Sequence, residues 1–174
     1  MEEFEKLVDR FSNRIYSFAF YYLGNREMAE DVTQEVLLRL WRKHNTIENG
    51  MLQAWVTRVT KNAAIDAQRR KKSYRAVVAG NQCEAGDLEN AADGRANPAR
   101  EAEQTDFKHK LEEALTTISE PYRSILILRE IQDLKYDQIA ESLGLPMNTV
   151  KVYLHRARKM LREHLSKVVD YDSL

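Results

Sequence analysis

The chain has little of what secreted or membrane-spanning proteins need. Its 174 residues include one cysteine, Cys83, with six glycines and three prolines. A single cysteine excludes an intramolecular disulfide framework and fits a reducing cytoplasm, where we expect this protein to act. The start, MEEFEKLVDR, resembles no signal peptide, and the apolar stretch at 16–23 is far shorter than the ~18 residues of a membrane span. The sequence therefore predicts a helix-rich protein without membrane insertion.

A net charge is also lacking, since 27 Lys and Arg residues balance 27 Asp and Glu residues. The distribution along the chain is uneven, however. Residues 55–75 hold seven cations and one anion, residues 147–167 hold six cations and one anion, and residues 76–106 hold two cations and seven anions. One basic patch would usually be a solvated helix face, but two such patches on separate helices favour an anionic partner such as nucleic acid.

Apolar residues recur at steps of three and four in three segments of the first 73 residues, which is typical of amphipathic helices. Gly24-Asn25 and the turn signal Asn49-Gly50 separate these segments. We therefore predict a three-helix domain over 1–73. Residues 74–105 lack an apolar period and are rich in Gly, Ala, Asn and Asp, which predicts a flexible, acidic linker.

Helical patterning resumes over 106–174, so the predicted fold class is all-α, with two small helical domains joined by the linker. The stretch YDQIAESLGLPMNTVKVYLHRARKML, at 136–161, has the parts of a helix-turn-helix. Gly144 suits the end of its first helix, and Pro146 suits the start of the second. Val150 and Leu154 face the predicted core, so the cations of the second helix lie on its outer side, as a helix in the DNA major groove requires.

The same stretch carries a family resemblance. ISEPYRSILILREIQDLKYDQIAESLGLPMNTVKVYLHRARKMLREHL, at 118–165, resembles region 4 of the extracytoplasmic-function (ECF) class of bacterial sigma factors. In the first domain, AEDVTQEVLLRLW (29–41) resembles the part of region 2 that docks on core RNA polymerase. AWVTRVTKNAAIDAQRRKK (54–72) resembles the part that engages the −10 promoter element. The resemblance assigns region 2 to 1–73 and region 4 to 106–174.

The resemblance implies a promoter-recognition subunit, with no enzymatic activity and no cofactor. Its partners would be the β and β′ subunits of core RNA polymerase and promoter DNA, as duplex at the −35 element and as a single strand at the −10 element. An anti-sigma factor is a further partner that the resemblance allows. We expect a monomer in the free state.

Three groups of site residues follow from the resemblance. Asp31, Gln34 and Glu35 match positions that contact the clamp coiled coil of β′. Residues 47–52 match a loop that captures an extruded −10 base, and Asn62 matches a base-contacting Asn. The predicted −10 surface comprises Ile47, Asn49, Arg58, Lys61, Asn62, Arg69 and Arg70. The predicted −35 surface comprises Arg129, Thr149, Lys151, Val152, Tyr153, His155, Arg156, Arg158 and Lys159.

Within the −35 surface, Lys151, Tyr153, His155 and Arg156 would lie at or near the bases, and Arg129, Arg158 and Lys159 would contact phosphates. The chain departs from the family pattern at two positions, with Asn148 in place of Gly and Val152 in place of Ser. Val152 would meet a thymine methyl group or pack in the domain, and the sequence leaves both alternatives open.

Three other functions are less consistent with the sequence. The TVKVYL segment also resembles response-regulator transcription factors, but those carry an α/β receiver and residues 1–73 show no strand pattern. The histidines at 44, 109, 155 and 164 lack metal-ligand spacing, and no nucleophile elbow or phosphate-binding glycine loop is present, so neither a catalytic nor a metal site is expected. A plain helical scaffold would leave both basic helices unexplained.

Overall fold

The computed structural model describes residues 2–79 and 98–171, and every regular element within these ranges is helical. The N-terminal unit comprises α1 (Glu2–Leu23), α2 (Arg26–Lys43), the short 3-10 turns His44–Thr46 and Asn49–Met51, and α3 (Leu52–Ala79). The C-terminal unit comprises α4 (Pro98–Thr117), α5 (Tyr122–Leu126), the π-helical segment Ile127–Ile131, α6 (Tyr136–Leu143) and α7 (Met147–Tyr171). The all-α prediction is confirmed. None of the described helices combines the length and apolar character needed to cross a membrane.

Local signals set the boundary between α1 and α2. Gly24 has φ +60°, a left-handed conformation that ends α1 at little steric cost because glycine lacks a Cβ. Asn25 is extended, and its Oδ1 accepts a hydrogen bond from the Met28 N–H at 2.8 Å. That bond satisfies one of the unpaired N–H groups at the start of α2.

Both ends of α6, the first helix of the helix-turn-helix, are also set by local signals. At the start of α6, the Gln138 side chain accepts a hydrogen bond from the Lys135 N–H at 2.9 Å. At its end, Gly144 is left-handed with φ 65°, and the Leu145 N–H donates to the Ala140 carbonyl at 3.0 Å. This C-terminal cap turns the chain sharply into α7, as predicted.

The N-terminal unit has its own apolar core between its three helices. Phe11 and Ile15 of α1 meet Val36 and Leu40 of α2 and Val56 of α3, and each is at most 3% exposed. The 3.6-residue period of the sequence brings these side chains to one side of each helix, and their burial drives the packing.

The second core is formed by both units. Its main part comprises apolar residues of the C-terminal unit: Leu115, Ile118, Ile125, Leu126, Ile127, Leu128, Leu134, Ile139, Val150, Leu154 and Ala157. Phe18 and Tyr22 of α1 and Ala64 of α3 complete it, and each of these three is at most 1% exposed. The two units are therefore packed against each other, which the prediction of domains on a tether did not include.

Helices extend into both ends of the predicted linker. Helix α3 continues through Ala79 and α4 begins at Pro98, so both ends of the 74–105 segment are helical. The sequence has neither Gly nor Pro between Gly50 and Gly80, so nothing stops α3 at residue 73. Pro98 suits the first turn of a helix, and the residues after it are good helix formers. The rest of the predicted linker, 80–97, lies outside the described residues.

Candidate nucleic-acid and polymerase interfaces

The three residues predicted to dock on polymerase share the outer side of α2. Asp31 and Gln34 are exposed and Glu35 is half-buried, while Val32 and Val36 point into the core. Spacings of three and four residues place these polar side chains on neighbouring turns of one face. The face is acidic and continuous, which suits a cationic partner surface.

Leu38, which belongs to none of the predicted site groups, extends this face. The side chain is 58% exposed and lies three residues after Glu35 and four after Gln34. Charged groups in an interface mainly orient the partner. An exposed leucine beside them adds apolar area that a partner can bury. In the sequence, the spacing of residues 31, 34, 35 and 38 places Leu38 on the same helix face as the other three.

Glu35 connects the docking face to α3. Its carboxylate pairs with Arg39 on α2 and lies 3.7 Å from the Arg70 guanidinium on α3. Ion pairs at partly exposed positions are weak, so a partner can replace either side. Glu35, a predicted polymerase contact, therefore lies next to Arg70, a predicted DNA contact.

The turn before α3 holds part of the predicted −10 pocket. Ile47 is half-buried against the core of the N-terminal unit, and Met51 is 51% exposed. Leu52 was predicted to line the pocket, but it is only 5% exposed and belongs to the core because it begins α3 on that helix's inner side. The Asn49 side chain is outside the part of the structure that is described.

The basic side of α3 carries the remaining −10 candidates. Asn62 is exposed, and Lys61 beside it is half-buried. Arg69 is exposed and lies 3.9 Å from Asp66, a loose pair that leaves its charge accessible. Asn62 and Arg69 are seven residues apart, which places them about two turns apart on one side of α3.

Arg58 differs from the other cations of α3. Its Nε donates to the Ser142 carbonyl at 3.1 Å, and its Nη2 donates to the Glu141 carbonyl at 3.1 Å. Both acceptors lie in the last turn of α6, where carbonyls lack helical partners. Arg58 therefore caps a helix of the C-terminal unit.

Helix α7 presents most of the predicted −35 surface. Val150, Leu154 and Ala157 are buried, which fixes the helix on the C-terminal unit. The opposite side exposes Lys151, Val152, His155, Arg156 and Lys159, with Thr149 half-buried near the helix start. Val152 is 47% exposed, so it does not pack in the core of the C-terminal unit.

Three predicted −35 residues have intramolecular partners instead of an open position. Arg158 pairs with Glu130 at 2.7 Å, and this hydrogen bond raises the pKa of Arg158 above its usual value. Arg129 donates to the Leu134 carbonyl at 3.0 Å. The Tyr153 ring packs edge-on against Tyr122, with ring centroids 5.3 Å apart. Arg129 and Tyr153 are thus partly structural, a role that a motif match cannot distinguish.

Within residues 2–79 and 98–171, no three His, Cys, Asp or Glu side chains are grouped as a metal site would require.

The two units match separate families. The sigma-70 region 2 family matches residues 7–74, and the sigma-70 region 4 family matches residues 108–161. RNA polymerase sigma factor SigV of Bacillus subtilis (strain 168) is 31% identical over 153 residues, covering 87% of this chain and 84% of SigV. ECF RNA polymerase sigma factor SigE of Mycolicibacterium smegmatis is 29% identical over 167 residues, 96% of this chain, but the chain spans only 63% of that relative.

The fold is also similar to a solved structure. The sigma factor RpoE from Bartonella quintana, in a co-crystal structure with the anti-sigma factor NepR, superposes with a TM-score of 0.71 at 23% identity. The match covers 95% of this chain and 98% of that one. ECF RNA polymerase sigma factor SigL of Mycobacterium tuberculosis (strain ATCC 25618 / H37Rv) is 30% identical over 164 residues, covering 93% of this chain and 88% of SigL. The two family matches and the similarity to SigV and SigL lead to one assignment: the chain belongs to the ECF class of RNA polymerase sigma factors, the promoter-specificity subunits of the enzyme.

Proposed function

We propose that this chain binds core RNA polymerase through residues 1–73 and recognises two promoter elements, the −10 element with α3 and the −35 element with α7. One observation carries the proposal: each family-matched unit exposes its own cationic helix face. Two faces on two units suit two DNA elements separated along a promoter, with 74–105 connecting them.

On the polymerase side, Asp31, Gln34, Glu35 and Leu38 form the docking face. Negative charge steers the encounter with a cationic partner, and the exposed leucine adds buried apolar area once the surfaces meet. We assign this face to the β′ subunit, and the C-terminal unit to β.

On the DNA side, α3 would hold one separated strand and α7 would enter the major groove of a duplex. An unstacked base exposes its face and its Watson–Crick edge, so Asn62 and the 47–51 turn can read it without a groove. Lys151, His155 and Arg156 lie in the first half of α7, where a recognition helix contacts base edges, and Lys159 follows at a position suited to phosphate.

We infer that the chain itself catalyses no reaction and that it works in the cytoplasm, where the polymerase and the promoter are. A partner of the anti-sigma type, which the Bartonella quintana relative has in its co-crystal structure, would act by competing for these same surfaces.

The test is in vitro transcription by sigma-free bacterial core polymerase on a library of randomised promoters, with and without the purified chain. The proposal predicts start sites that depend on the chain and share two spaced motifs. Binding to polymerase without any specific start site would contradict it. Binding to duplex DNA without any binding to polymerase would instead favour a response-regulator-like factor.

A further inference from the structure

Helix α7 carries a row of exposed side chains directly opposite its buried side. Val150 and Leu154 are at most 1% exposed, so they define the inner side of the helix. Asn148, Val152 and His155 follow one another at steps of four and three residues on the opposite side, and all three are exposed. A helix that enters the major groove points such a row at the base pairs.

Asn148 begins this row, although it belongs to none of the predicted site groups. It is the second residue of α7, which starts at Met147. Recognition helices contact base edges mainly through residues near their N-terminal ends. The row therefore starts with a carboxamide at a position from which a recognition helix reads bases.

Helix capping does not account for Asn148. An asparagine at a helix start often caps the helix by accepting a hydrogen bond from a backbone N–H, as Asn25 does from Met28 at the start of α2. In α7, the Val150 N–H donates to the Pro146 carbonyl at 3.1 Å, so Asn148 already lies inside the first turn. Its side chain makes no hydrogen bond to any residue within 2–79 and 98–171. The carboxamide is therefore available to a ligand.

A carboxamide matches one base edge of the major groove. The Asn N–H can donate to adenine N7, while the Asn oxygen accepts from the adenine N6 amino group. No other base presents an acceptor and a donor side by side on that edge. The neighbour on the next turn of the row, Val152, is 47% exposed and apolar, so it does not compete for these polar atoms.

We propose that Asn148 reads an adenine in the −35 element and sets the sequence preference at that position. The inference rests on the proposed function, because it takes α7 as the helix that enters the −35 major groove. The family pattern has glycine at this position, and glycine has no side chain that can contact a base. Asn148 thus gives this chain a preference that the family pattern does not contain.

The first part of the test is transcription from the randomised promoter library with core polymerase and the parent chain, Asn148→Ala or Asn13→Ala. Alanine removes the carboxamide at an exposed position and favours the helix, so α7 should keep its fold. Asn13→Ala makes the same change at an exposed position of α1 and is the control. The parent chain and the control should select adenine at one −35 position. Asn148→Ala should lose that preference while the −10 motif stays the same.

The second part of the test identifies the contacted atom. In a duplex of the selected sequence, 7-deazaadenine at that position removes the N7 acceptor and leaves Watson–Crick pairing intact. Polymerase with the parent chain should bind this duplex about tenfold more weakly than the unmodified one, which is within the range for one base contact. Polymerase with Asn148→Ala should bind both duplexes equally, because the donor to N7 is gone.

Three results would overturn the inference. The first is a parent chain without an adenine preference in its −35 motif, and the second is an adenine preference that persists in Asn148→Ala. The third is equal sensitivity of the parent chain and Asn148→Ala to 7-deazaadenine, which would show that another side chain contacts N7. In all three cases the parent chain still directs start sites with two spaced motifs, whereas failure of the proposed function would abolish those start sites.

Discussion

Helices α3 and α7 are similar in sequence character but differ in what surrounds them. Both carry a basic face next to an apolar one. On α3, Arg58 caps α6 and Arg70 lies near Glu35. On α7, Arg158 pairs with Glu130, but the side chains of Lys151, Arg156 and Lys159 are exposed and have no hydrogen bond or ion pair within residues 2–79 and 98–171. The comparison shows that charge alone does not decide which cations are ready to bind, because some cations on each helix already have partners within the chain.

The largest effect is expected where the two units meet. Arg123→Ala removes a buried guanidinium that donates to carbonyls at the ends of α1 and α4, and it leaves these three carbonyls without their donor. Charged hydrogen bonds of this kind predict a loss of about 3 kcal/mol in the free energy of unfolding. Urea unfolding followed by circular dichroism measures it.

Arg123→Lys is the matched control for that variant. Lysine keeps the charge but cannot donate in the planar fork that reaches both helix ends, so we expect an intermediate loss. Arg123→Ala with an unfolding midpoint equal to that of the parent chain would contradict the capping role.

Next in size is a substitution on the open face of α7. Lys151→Ala should weaken binding of the holoenzyme to the −35 element by about 1–3 kcal/mol if the side chain contacts a base edge. Affinity for promoter duplexes, measured at fixed salt, gives the value. Lys167→Ala removes an exposed cation farther along the same helix and should have a much smaller effect. Equal losses would indicate general charge attraction instead of base contact.

A smaller effect is expected on α3. Asn62→Ala removes one neutral hydrogen-bonding side chain and should weaken −10 recognition by on the order of 1 kcal/mol. Open-complex formation, followed with a fluorescent base at the −10 position, is the measurement, and polymerase affinity should not change.

Glu35→Ala should have the opposite effects to Asn62→Ala. It should weaken polymerase binding while leaving open-complex formation normal at saturating chain concentration. If both variants lost polymerase binding to the same extent, a folding defect would be the explanation and the two assigned roles would fail.

The smallest effect concerns the departure from the family pattern on α7. Val152 is 47% exposed, so Val152→Ser should leave the unfolding free energy nearly unchanged. Loss of contact with a thymine methyl group predicts a drop of about 1 kcal/mol or less for thymine at one −35 position. Selection of −35 sequences by the two chains should differ at that position alone, and identical selections would rule out the contact.

The sequence predicted the features that depend on neighbouring residues. Gly24-Asn25 and Gly144 placed helix boundaries correctly, and the apolar period identified Val150 and Leu154 as core residues. These signals are local, since caps and amphipathic faces are set within a few residues. The family resemblance was confirmed by the matches to both units.

Features that depend on distant residues were not predicted. Arg58 and Glu141 are 83 residues apart, and Arg123 and Tyr22 are 101 apart, so no local pattern indicates that they meet. For the same reason nothing in the sequence near Phe18 of α1 indicates that this side chain packs with the second unit. A motif shows that a residue is basic, but it does not show whether that residue contacts DNA or caps another helix.

The central claim is that α3 and α7 each read one promoter element. The most direct test repeats transcription from the randomised promoter library with the Asn62→Ala and Lys151→Ala chains. The account predicts relaxed sequence preference in the −10 motif alone for Asn62→Ala, and in the −35 motif alone for Lys151→Ala. The same change in both motifs for both variants would contradict the division between the two helices.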